Sequence, residues 1–504
     1  MWRLGWVAHA IHTTPANLFD ANIFHPERLT LAYSDAMLLP GIVLAPLFWI
    51  DTSPVAIYNL ALFTAFTLSG LATFWLARHL TGSVGASFVA GVIYAFAPYR
   101  FTHYAHLELQ LVFWIPLLLW TLHRTLPRIT TRDGILIGGI LAFQLLSCIY
   151  VGIFAGMFCM VFVPCLLAVS ERRHLRAYIA PAAAAAATTV VLTLPYAHAY
   201  SAARDIVGTR SIEDMRRYSA SLSNFLAAPQ MNRMYGGTAI TDPLLADEMN
   251  LFPGVVAVLL ALAGIFGSRE RSRYPYVAGL AFALVMTAGA NGLLFGWLFD
   301  ELPLFRALRS PARFEILAIL CLAVLSAYGM TALAGTIRST ARRTLMTAAI
   351  VILLAIEFAS APTLTIVPLP SKVDVYLAQQ PPSVIVELPV VSSRGSFGSL
   401  DWRYMYQGLP HFQKMLNGYS GYAPQSFYRM REIMQGFPDD RSIALLRESK
   451  VGYVIVRGGL FDDHQEAARL LELARQREEL SLEGMWTSAQ DGTEAIFRMA
   501  PAQP

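Results

Sequence analysis

The charged and histidine side chains that lie between the apolar runs of this chain combine carboxylates with arginines. An arginine's planar guanidinium suits a phosphate, and a carboxylate can accept a proton from a hydroxyl group. Together they would suit transfer from a phosphate ester to a hydroxyl acceptor. These side chains form three groups: residues 17–37, with Asp20, His25, Glu27 and Asp35; residues 97–110, with Arg100, His103, His106 and Glu108; and residues 246–254 with 303–315, which supply Asp247, Glu248, Arg306, Arg309, Arg313 and Glu315.

Each group also has a structural interpretation. The arginines of the third group would equally suit anchoring at a membrane interface, or ion pairs with the nearby acids Asp300, Glu301 and Glu315. Asp20 and Asp35 occupy turn-like or helix-start positions, where a carboxylate caps backbone N–H groups. The sequence leaves both interpretations open.

The spacing of His103, His106 and Glu108 could bring the three side chains to one metal ion, and a hydrogen-bonded cluster at the membrane surface is the alternative. We therefore assign neither a metal nor a cofactor from the sequence, and a divalent cation stays open. Glu357 lies within an apolar run. Because an acid is costly there, we expect it to form a hydrogen bond inside a helical bundle rather than to relay protons.

The elements that must position these residues are membrane helices. Of 504 residues, 55% are hydrophobic and 14% are charged, against roughly 25% charged in a soluble domain. Residues 1–360 contain 24 Arg and no Lys, with 18 Asp and Glu, while residues 361–504 contain 14 Arg and Lys with 16 Asp and Glu. This composition predicts that the first part is embedded in a lipid bilayer and that the second part is water-soluble. The diffuse charge argues against nucleic acid as a partner.

Apolar runs predict ten membrane spans, several of them short or interrupted by proline. The Ala182–Ala187 run within one of them predicts close approach of a neighbouring helix. The spans are placed at 53–77, 83–98, 108–124, 134–148, 150–170, 177–196, 251–268, 276–292, 314–336 and 343–360.

Arginines orient these spans. Thirteen of them fall in five short connections, which the positive-inside rule places in the cytoplasm. The second and third polar groups and everything after residue 361 then lie on the opposite face. This predicts a multi-pass protein of the plasma (inner) membrane with an extracytoplasmic C-terminal domain.

The predicted spans and their orientation also define the domain organisation. We predict an outer-face loop at 1–52, a transmembrane helical bundle at 53–360 and an extracytoplasmic α/β domain at 361–504. Within the outer-face loop, we predict that residues 2–12 and 36–50 form helices lying in the membrane interface. The alternative is that 36–50 crosses the bilayer.

The C-terminal domain shows alternating strand and helix signals. Runs rich in β-branched residues predict strands at 381–390 and 451–457, and amphipathic patterns predict helices at 425–436, 440–449 and 463–480. The domain is therefore expected to be mixed α/β.

Several segments together resemble a known group of bacterial membrane proteins. They are NLFDANIFHPERLTLAYSD, LARHLTG, YRFTHYAHLELQLVFWIPLLL, EMNLFPG, FRALRSPARF and HFQKMLNGYSGYAPQSFYRM, in that order. In this the chain resembles the GT-C glycosyltransferase superfamily, in the neighbourhood of the YfhO-like and RgtA/B/C/D-like membrane proteins. The motifs are diffuse and cover almost the whole chain.

The resemblance implies a sugar donor linked to polyprenyl phosphate and an inverting transfer on the outer face, to a glycan, lipid or protein of the cell envelope. It also implies a first span and a catalytic acid that would lie upstream of Met1, or else a catalytic role for Asp20 or Asp35. Arg100, His103, His106, Glu108, Glu248, Arg306, Arg309 and Arg313 are then candidate substrate-binding residues.

A different class of function is also open. A non-catalytic membrane protein, such as a translocator of lipid-linked glycans, an envelope-assembly factor or a pseudoenzyme scaffold, would share the same composition. A transporter is expected to carry broken helices and polar residues near the middle of the membrane. In this sequence the polar residues gather at one face, which favours surface chemistry.

Overall fold

A computed structural model of the chain describes residues 1–170, 175–208, 211–292, 295, 297–298, 301, 309–364, 366–393, 400–488 and 492–501. The fold is mostly helical and carries a small β-sheet. In these ranges six helical segments are long and apolar enough to cross a membrane. They support the membrane protein that the composition predicts.

The described part of the chain forms α-helices of very different lengths. They are α1 (Trp2–Thr13), α2 (Leu38–Trp49), α3 (Pro54–Thr81), α4 (Val84–Phe96), α5 (Pro98–Thr102), α6 (Leu107–Gln110), α7 (Trp114–Thr125), α8 (Thr131–Ser147), α9 (Ile149–Val169), α10 (Arg176–Val207), α11 (Ile212–Arg216), α12 (Ala246–Met249), α13 (Val255–Gly267), α14 (Tyr274–Thr287), α15 (Glu315–Gly335), α16 (Thr340–Glu357), α17 (Lys372–Ala378), α18 (Asp401–Gln407), α19 (Gln425–Met434), α20 (Asp440–Glu448) and α21 (His464–Arg475).

The six membrane-competent segments coincide with six of the ten predicted spans. They are Pro54–Thr81, Val84–Thr102, Leu107–Arg128, Ile149–Val169, Arg176–Val207 and Pro311–Gly335. The other four predicted spans correspond to α8, α13, α14 and α16, which are helical but fall outside this set. The count of ten spans stays a prediction.

Helix α2 occupies the run for which two topologies were open. It has 12 residues, which at 1.5 Å per residue measure about 18 Å, and the hydrocarbon core of a bilayer is about 30 Å thick. The helix is therefore too short to cross a bilayer by itself.

Helix α15 is the most enclosed of the apolar helices. Every residue from Glu315 to Met330 is buried, because α4, α13 and α14 pack around it. Glu357, at the end of α16, accepts hydrogen bonds from Val255 N at 2.6 Å and Val256 N at 3.1 Å, at the start of α13. The predicted hydrogen bond of this acid inside the bundle is confirmed.

Within the described residues, one sheet is formed by the strands β1 (Val384–Leu388), β2 (Lys414–Met415), β3 (Val451–Arg457), β4 (Leu480–Ser488) and β5 (Gly492–Met499). Their order is β2-β1-β3-β5-β4, with β1 parallel to β2 and β3, and β5 antiparallel to β3 and β4. Strands β1 and β3 and helices α19, α20 and α21 match the elements predicted from the sequence, while the antiparallel pair β4 and β5 was not predicted.

The chain divides into two compact units. We call Met1–Ile57, Tyr196–Gly208 and Ile366–Pro504 the sheet unit, and Tyr58–Pro195 with Thr209–Thr365 the helical unit. The first predicted polar group lies in the sheet unit, and the second and third lie in the helical unit.

Candidate functional site

A partly buried ion pair, Arg313 with Glu248, lies at the centre of a group of polar residues in the helical unit; 16% and 12% of the two side chains are exposed. Arg313 donates from Nε to both carboxylate oxygens of Glu248, at 2.9 and 3.1 Å, and also from Nη2. Ser310 Oγ donates to the same carboxylate at 2.8 Å. Burial alone would raise the pKa of Glu248, but the charge and hydrogen bonds of Arg313 hold that pKa below its usual range. The two side chains neutralise each other.

Local structure brings these partners together. Pro311 opens a 3-10 turn, Pro311–Phe314, that leads directly into α15 and presents Arg313. On the other side, Glu248 lies in the short helix α12, which is held because Asn224 Nδ2 donates to the carbonyl of Met249 at 3.1 Å. The positions of both charges are therefore fixed by backbone contacts.

Arg309 lies four residues before Arg313 and is held by aromatic residues. Its Nη2 donates to the hydroxyl of Tyr218 at 2.6 Å, and its guanidinium carbon lies 4.7 Å from the centre of the same ring. The hydroxyl of Tyr150 accepts a hydrogen bond from the backbone N–H of Arg309 and one from Ser310 N at 3.1 Å. Within the described part of the chain, Arg309 forms no ion pair, so its positive charge is not neutralised there.

Three titratable groups flank the ion pair. His106 Nδ1 lies 3.7 Å from Glu108 Oε1. Burial alone would lower the pKa of His106, but the hydrogen bond and charge of Glu108 outweigh burial, and the pKa is raised. Asp247 adjoins Glu248 and is solvent-exposed; partial desolvation by the surrounding chain, together with the charge of Glu248, raises its pKa above the usual range, although the charge of His106 opposes this. No donor to the carboxylate of Asp247 is found among the described residues.

His103 is buried beside the ion pair. Burial lowers its pKa to about 3, so the imidazole is neutral. Neither ring nitrogen has a hydrogen-bond partner among the residues that the structure describes. The ring lines a cavity of about 10 Å³ together with Tyr99, Gln110 and Arg313, which is room for about one water molecule.

Arg100 is also buried, and each of its three side-chain nitrogen atoms already donates a hydrogen bond within the protein. Its Nε donates to Gln110 Oε1 at 3.0 Å, its Nη2 to the Gln110 carbonyl at 2.9 Å and its Nη1 to the Tyr94 carbonyl at 3.3 Å. The guanidinium carbon lies 4.5 Å from the centre of the Phe66 ring. These contacts hold the segment between α4 and α6 in place.

Asp20 and Asp35 lie in the sheet unit, and each makes local backbone contacts. Asp20 accepts from Leu29 N at 2.8 Å and from Arg28 Nη2 at 3.3 Å. Asp35 accepts from Met37 N at 3.3 Å. Leu29 and Met37 both have a positive φ, so each carboxylate stabilises a tight change of chain direction. These contacts correspond to the capping interpretation of the sequence.

The structure thus brings together most of the second and third predicted groups. The pair Glu248–Arg313 lies next to Arg309 and to the segment with His103, His106 and Glu108, and Arg100 supports that segment. Arg306 and Asp300, which the sequence also proposed, lie outside the described residues.

Sequence reasoning missed Ser310, Tyr150 and Tyr218 as parts of this site. Tyr150 lies at the start of an apolar helix and Tyr218 in a long connection, where a tyrosine carries no local signal of its partner. Only their hydrogen bonds to Arg309 and Ser310 mark them.

The described residues contain no group of three or more His, Cys, Asp or Glu side chains arranged to hold a metal ion. No protein-family model matches the chain, and no curated protein matches it with significant similarity.

Proposed function

We propose that this chain is an integral-membrane glycosyltransferase that transfers a sugar from a polyprenyl-phosphate-linked donor to an envelope glycan, lipid or protein at the outer face of the inner membrane. The observation that carries this proposal is the environment of the Arg309 side chain. It is oriented by Tyr218 and forms no ion pair within the described residues, while the neighbouring Arg313 is neutralised by Glu248. A phosphate is the ligand that suits such a cation.

Asp247 supplies the second requirement, a group that accepts a proton. The hydroxyl oxygen of the acceptor attacks the anomeric carbon of the sugar, the bond from that carbon to the phosphate oxygen breaks, and the hydroxyl proton passes to the carboxylate of Asp247. The raised pKa of Asp247 favours this role, because a stronger base accepts the proton more readily. The lipid phosphate leaves with the electron pair, and Arg309 stabilises its charge.

The surrounding helices support a lipid-linked donor. The site adjoins the start of α15, which belongs to one of six membrane-competent segments. A polyprenyl chain can remain in the bilayer while its phosphate reaches a polar group at a helix end. The arginine-rich connections support the outer face as the place of reaction.

The proposal is tested first by binding. The full chain is purified, reconstituted in vesicles, and titrated with a polyprenyl phosphate. Arg309→Gln should weaken binding by about 10- to 100-fold, the range expected when a charged hydrogen bond is lost, and Arg309→Lys should retain part of the affinity. Arg273→Gln, at a connection predicted to be cytoplasmic, is the matched control and should bind as the wild type does.

The second test measures transfer. In a strain that depends on the introduced gene, Asp247→Asn should lower incorporation of the sugar into envelope glycans by about 10²- to 10⁴-fold, the usual contribution of a general base. Asp20→Asn and Asp35→Asn, at the acids that the resemblance implied, are compared in parallel. Glycans that are unchanged in Asp247→Asn and in Arg309→Gln, with normal protein levels, would exclude the proposed roles and favour a non-catalytic protein.

A further inference from the structure

One face of α2 in the sheet unit carries an uninterrupted apolar stripe. Ile42, Val43, Trp49 and Ile50 are 45%, 66%, 51% and 71% exposed, and Pro46 between them is also exposed. Val43, Pro46 and Trp49 follow Ile42 by one, four and seven residues, which puts these four side chains on one side of the helix, and Ile50 directly follows its last residue. The stripe contains no charged or polar side chain.

The opposite face of α2 is fixed against α1. A Cβ atom on Gly41 would lie 2.6 Å from Val7, so the two helices approach as closely as a glycine permits. Trp49 Nε1 donates to the carbonyl of Ala8 at 3.0 Å, which satisfies the indole while its ring stays exposed. The stripe is therefore held facing outward and cannot turn into the unit.

Helix α1 ties this arrangement to the rest of the sheet unit. Seven of its twelve residues are buried. Its His9 ring stacks on Phe412, with ring centres 4.0 Å apart, and Trp2 Nε1 donates to Asn22 Oδ1 at 3.2 Å. The lipid-compatible surface of this helical pair thus belongs to α2.

Residues 22–25 complete the connection to the sheet. Met415 N in β2 donates to the carbonyl of Asn22 at 2.8 Å, His25 N donates back to Met415 O at 2.9 Å, and Phe24 N donates to Asn417 O at 3.0 Å. The N-terminal segment pairs with the edge of the sheet, so α2 and the sheet belong to one packed body.

We propose that the stripe of α2 is a lipid-contacting face that docks the sheet unit on the surface of the bilayer. The occupant is lipid because the stripe is purely apolar and includes an exposed Trp, a residue favoured at membrane interfaces. The chain also enters the 28-residue membrane-competent helix α3 at Pro54, four residues after Ile50. At about 18 Å, α2 lies along the membrane rather than across it. This inference does not depend on the proposed function.

The test uses photo-crosslinking from single positions in the full chain, reconstituted in lipid nanodiscs of phosphatidylethanolamine and phosphatidylglycerol. A benzophenone amino acid replaces Val43 or Ile50, both exposed, so that folding should not be disturbed. Mass spectrometry of the irradiated protein should show lipid adducts at both positions. The same probe at Glu472, an exposed residue of the polar helix α21 in the same unit, is the control and should give at least tenfold fewer lipid adducts.

Equal lipid adducts at Val43 and Glu472, or crosslinks from Val43 and Ile50 only to a second copy of the chain, would overturn the proposal. Repeating the measurement in native membranes distinguishes lipid from another protein as the occupant. Crosslinks there to protein, with no lipid adduct at either position, would also overturn it.

Discussion

At the scale of single residues, two arginines form ion pairs with different numbers of carboxylates, and one of them is fully buried. Arg313 faces one carboxylate, that of Glu248. Arg457, at the end of β3, faces three buried carboxylates at once, those of Asp374, Glu387 and Glu494, the first and last at 2.6 and 2.7 Å. One positive charge cannot balance three negative charges in a low-dielectric interior. One of the three carboxyl groups therefore retains a proton.

Glu387 is the best candidate to hold that proton. Its Oε1 is buried without a hydrogen-bond partner among the described residues. Burial raises its pKa to about 7, although the charge and hydrogen bond of Arg457 oppose the rise. The carboxyl group is therefore largely protonated at mildly acidic pH and begins to ionise near neutrality.

This predicts a pH dependence of stability. Because the folded-state pKa of Glu387 lies above its usual 4.5, the folded state binds the proton more tightly, and that stabilisation is complete below about pH 4.5 and lost as the pH rises through about 7. The loss is on the order of 3 kcal/mol. The midpoint of thermal unfolding of the detergent-solubilised protein should fall between pH 5 and 8, and Glu387→Gln should flatten this fall.

Glu472→Gln, on the exposed surface of α21, serves as the control and should keep the wild-type profile. The explanation fails if Glu387→Gln shows the same pH dependence as the wild type.

At the scale of helices, glycines decide how closely two apolar helices approach. A Cβ on Gly264 in α13 would lie 2.0 Å from the Leu325 carbonyl oxygen, and one on Gly329 in α15 would lie 2.0 Å from the carbonyl oxygen of Leu260. Both obstacles are backbone atoms. The two helices are thus in backbone contact, and neither glycine can be replaced without separating them.

We expect Gly329→Ala to destabilise the protein by about 1–3 kcal/mol, the usual cost of overpacking, because the Leu260 carbonyl cannot move aside without shifting α13. The measurement is the midpoint of thermal unfolding in detergent. Gly335→Ala is the matched control in the same helix, since a Cβ there would meet nothing within 4 Å. Similar midpoints for the two variants would show that α13 and α15 have room to adjust.

The alanine run in α10 follows the same principle. A Cβ on Gly138 in α8 would lie 2.3 Å from the carbonyl oxygen of Ala185, and Thr189 Oγ1 donates to the Gly138 carbonyl at 3.1 Å. The close approach that the Ala182–Ala187 run predicts is confirmed, although only the structure shows that α8 is the partner.

At the scale of the whole molecule, the sheet unit is assembled from three segments that are far apart in the sequence. The hydrogen bond from Asn22 Nδ2 to the Gln413 carbonyl, at 3.1 Å, joins residues separated by 391 positions. Asn22 is buried and its Oδ1 also accepts from Trp2 Nε1. This side chain thus links α1 to the loop that precedes β2.

Asn22→Ala should lower the free energy of unfolding by about 1–3 kcal/mol, because it leaves the Trp2 N–H and the Gln413 carbonyl buried without partners. It should also make residues 366–504 more sensitive to trypsin in the detergent-solubilised full chain. Asn17→Ala, at an exposed position of the same segment, is the control. Unchanged proteolysis in Asn22→Ala would mean that the sheet does not depend on this connection.

The sequence by itself determined the properties that depend on neighbouring residues. Apolar runs of sufficient length predict membrane helices, and β-branched runs predict β1 and β3, because hydrophobicity and backbone preference act over a few residues. The charge-bearing loops around Glu248 and Arg313 were also visible as polar segments in an apolar chain.

Tertiary structure alone decided which of these polar residues meet. Glu248 and Arg313 are 65 residues apart, and Arg457 collects carboxylates from β1, β5 and α17. It also decided that Arg309 is held by Tyr218 and that α1 and α2 belong with the sheet. The physical reason is that a buried charge must find a partner wherever the packed backbone supplies one, and no local pattern records how distant segments pack.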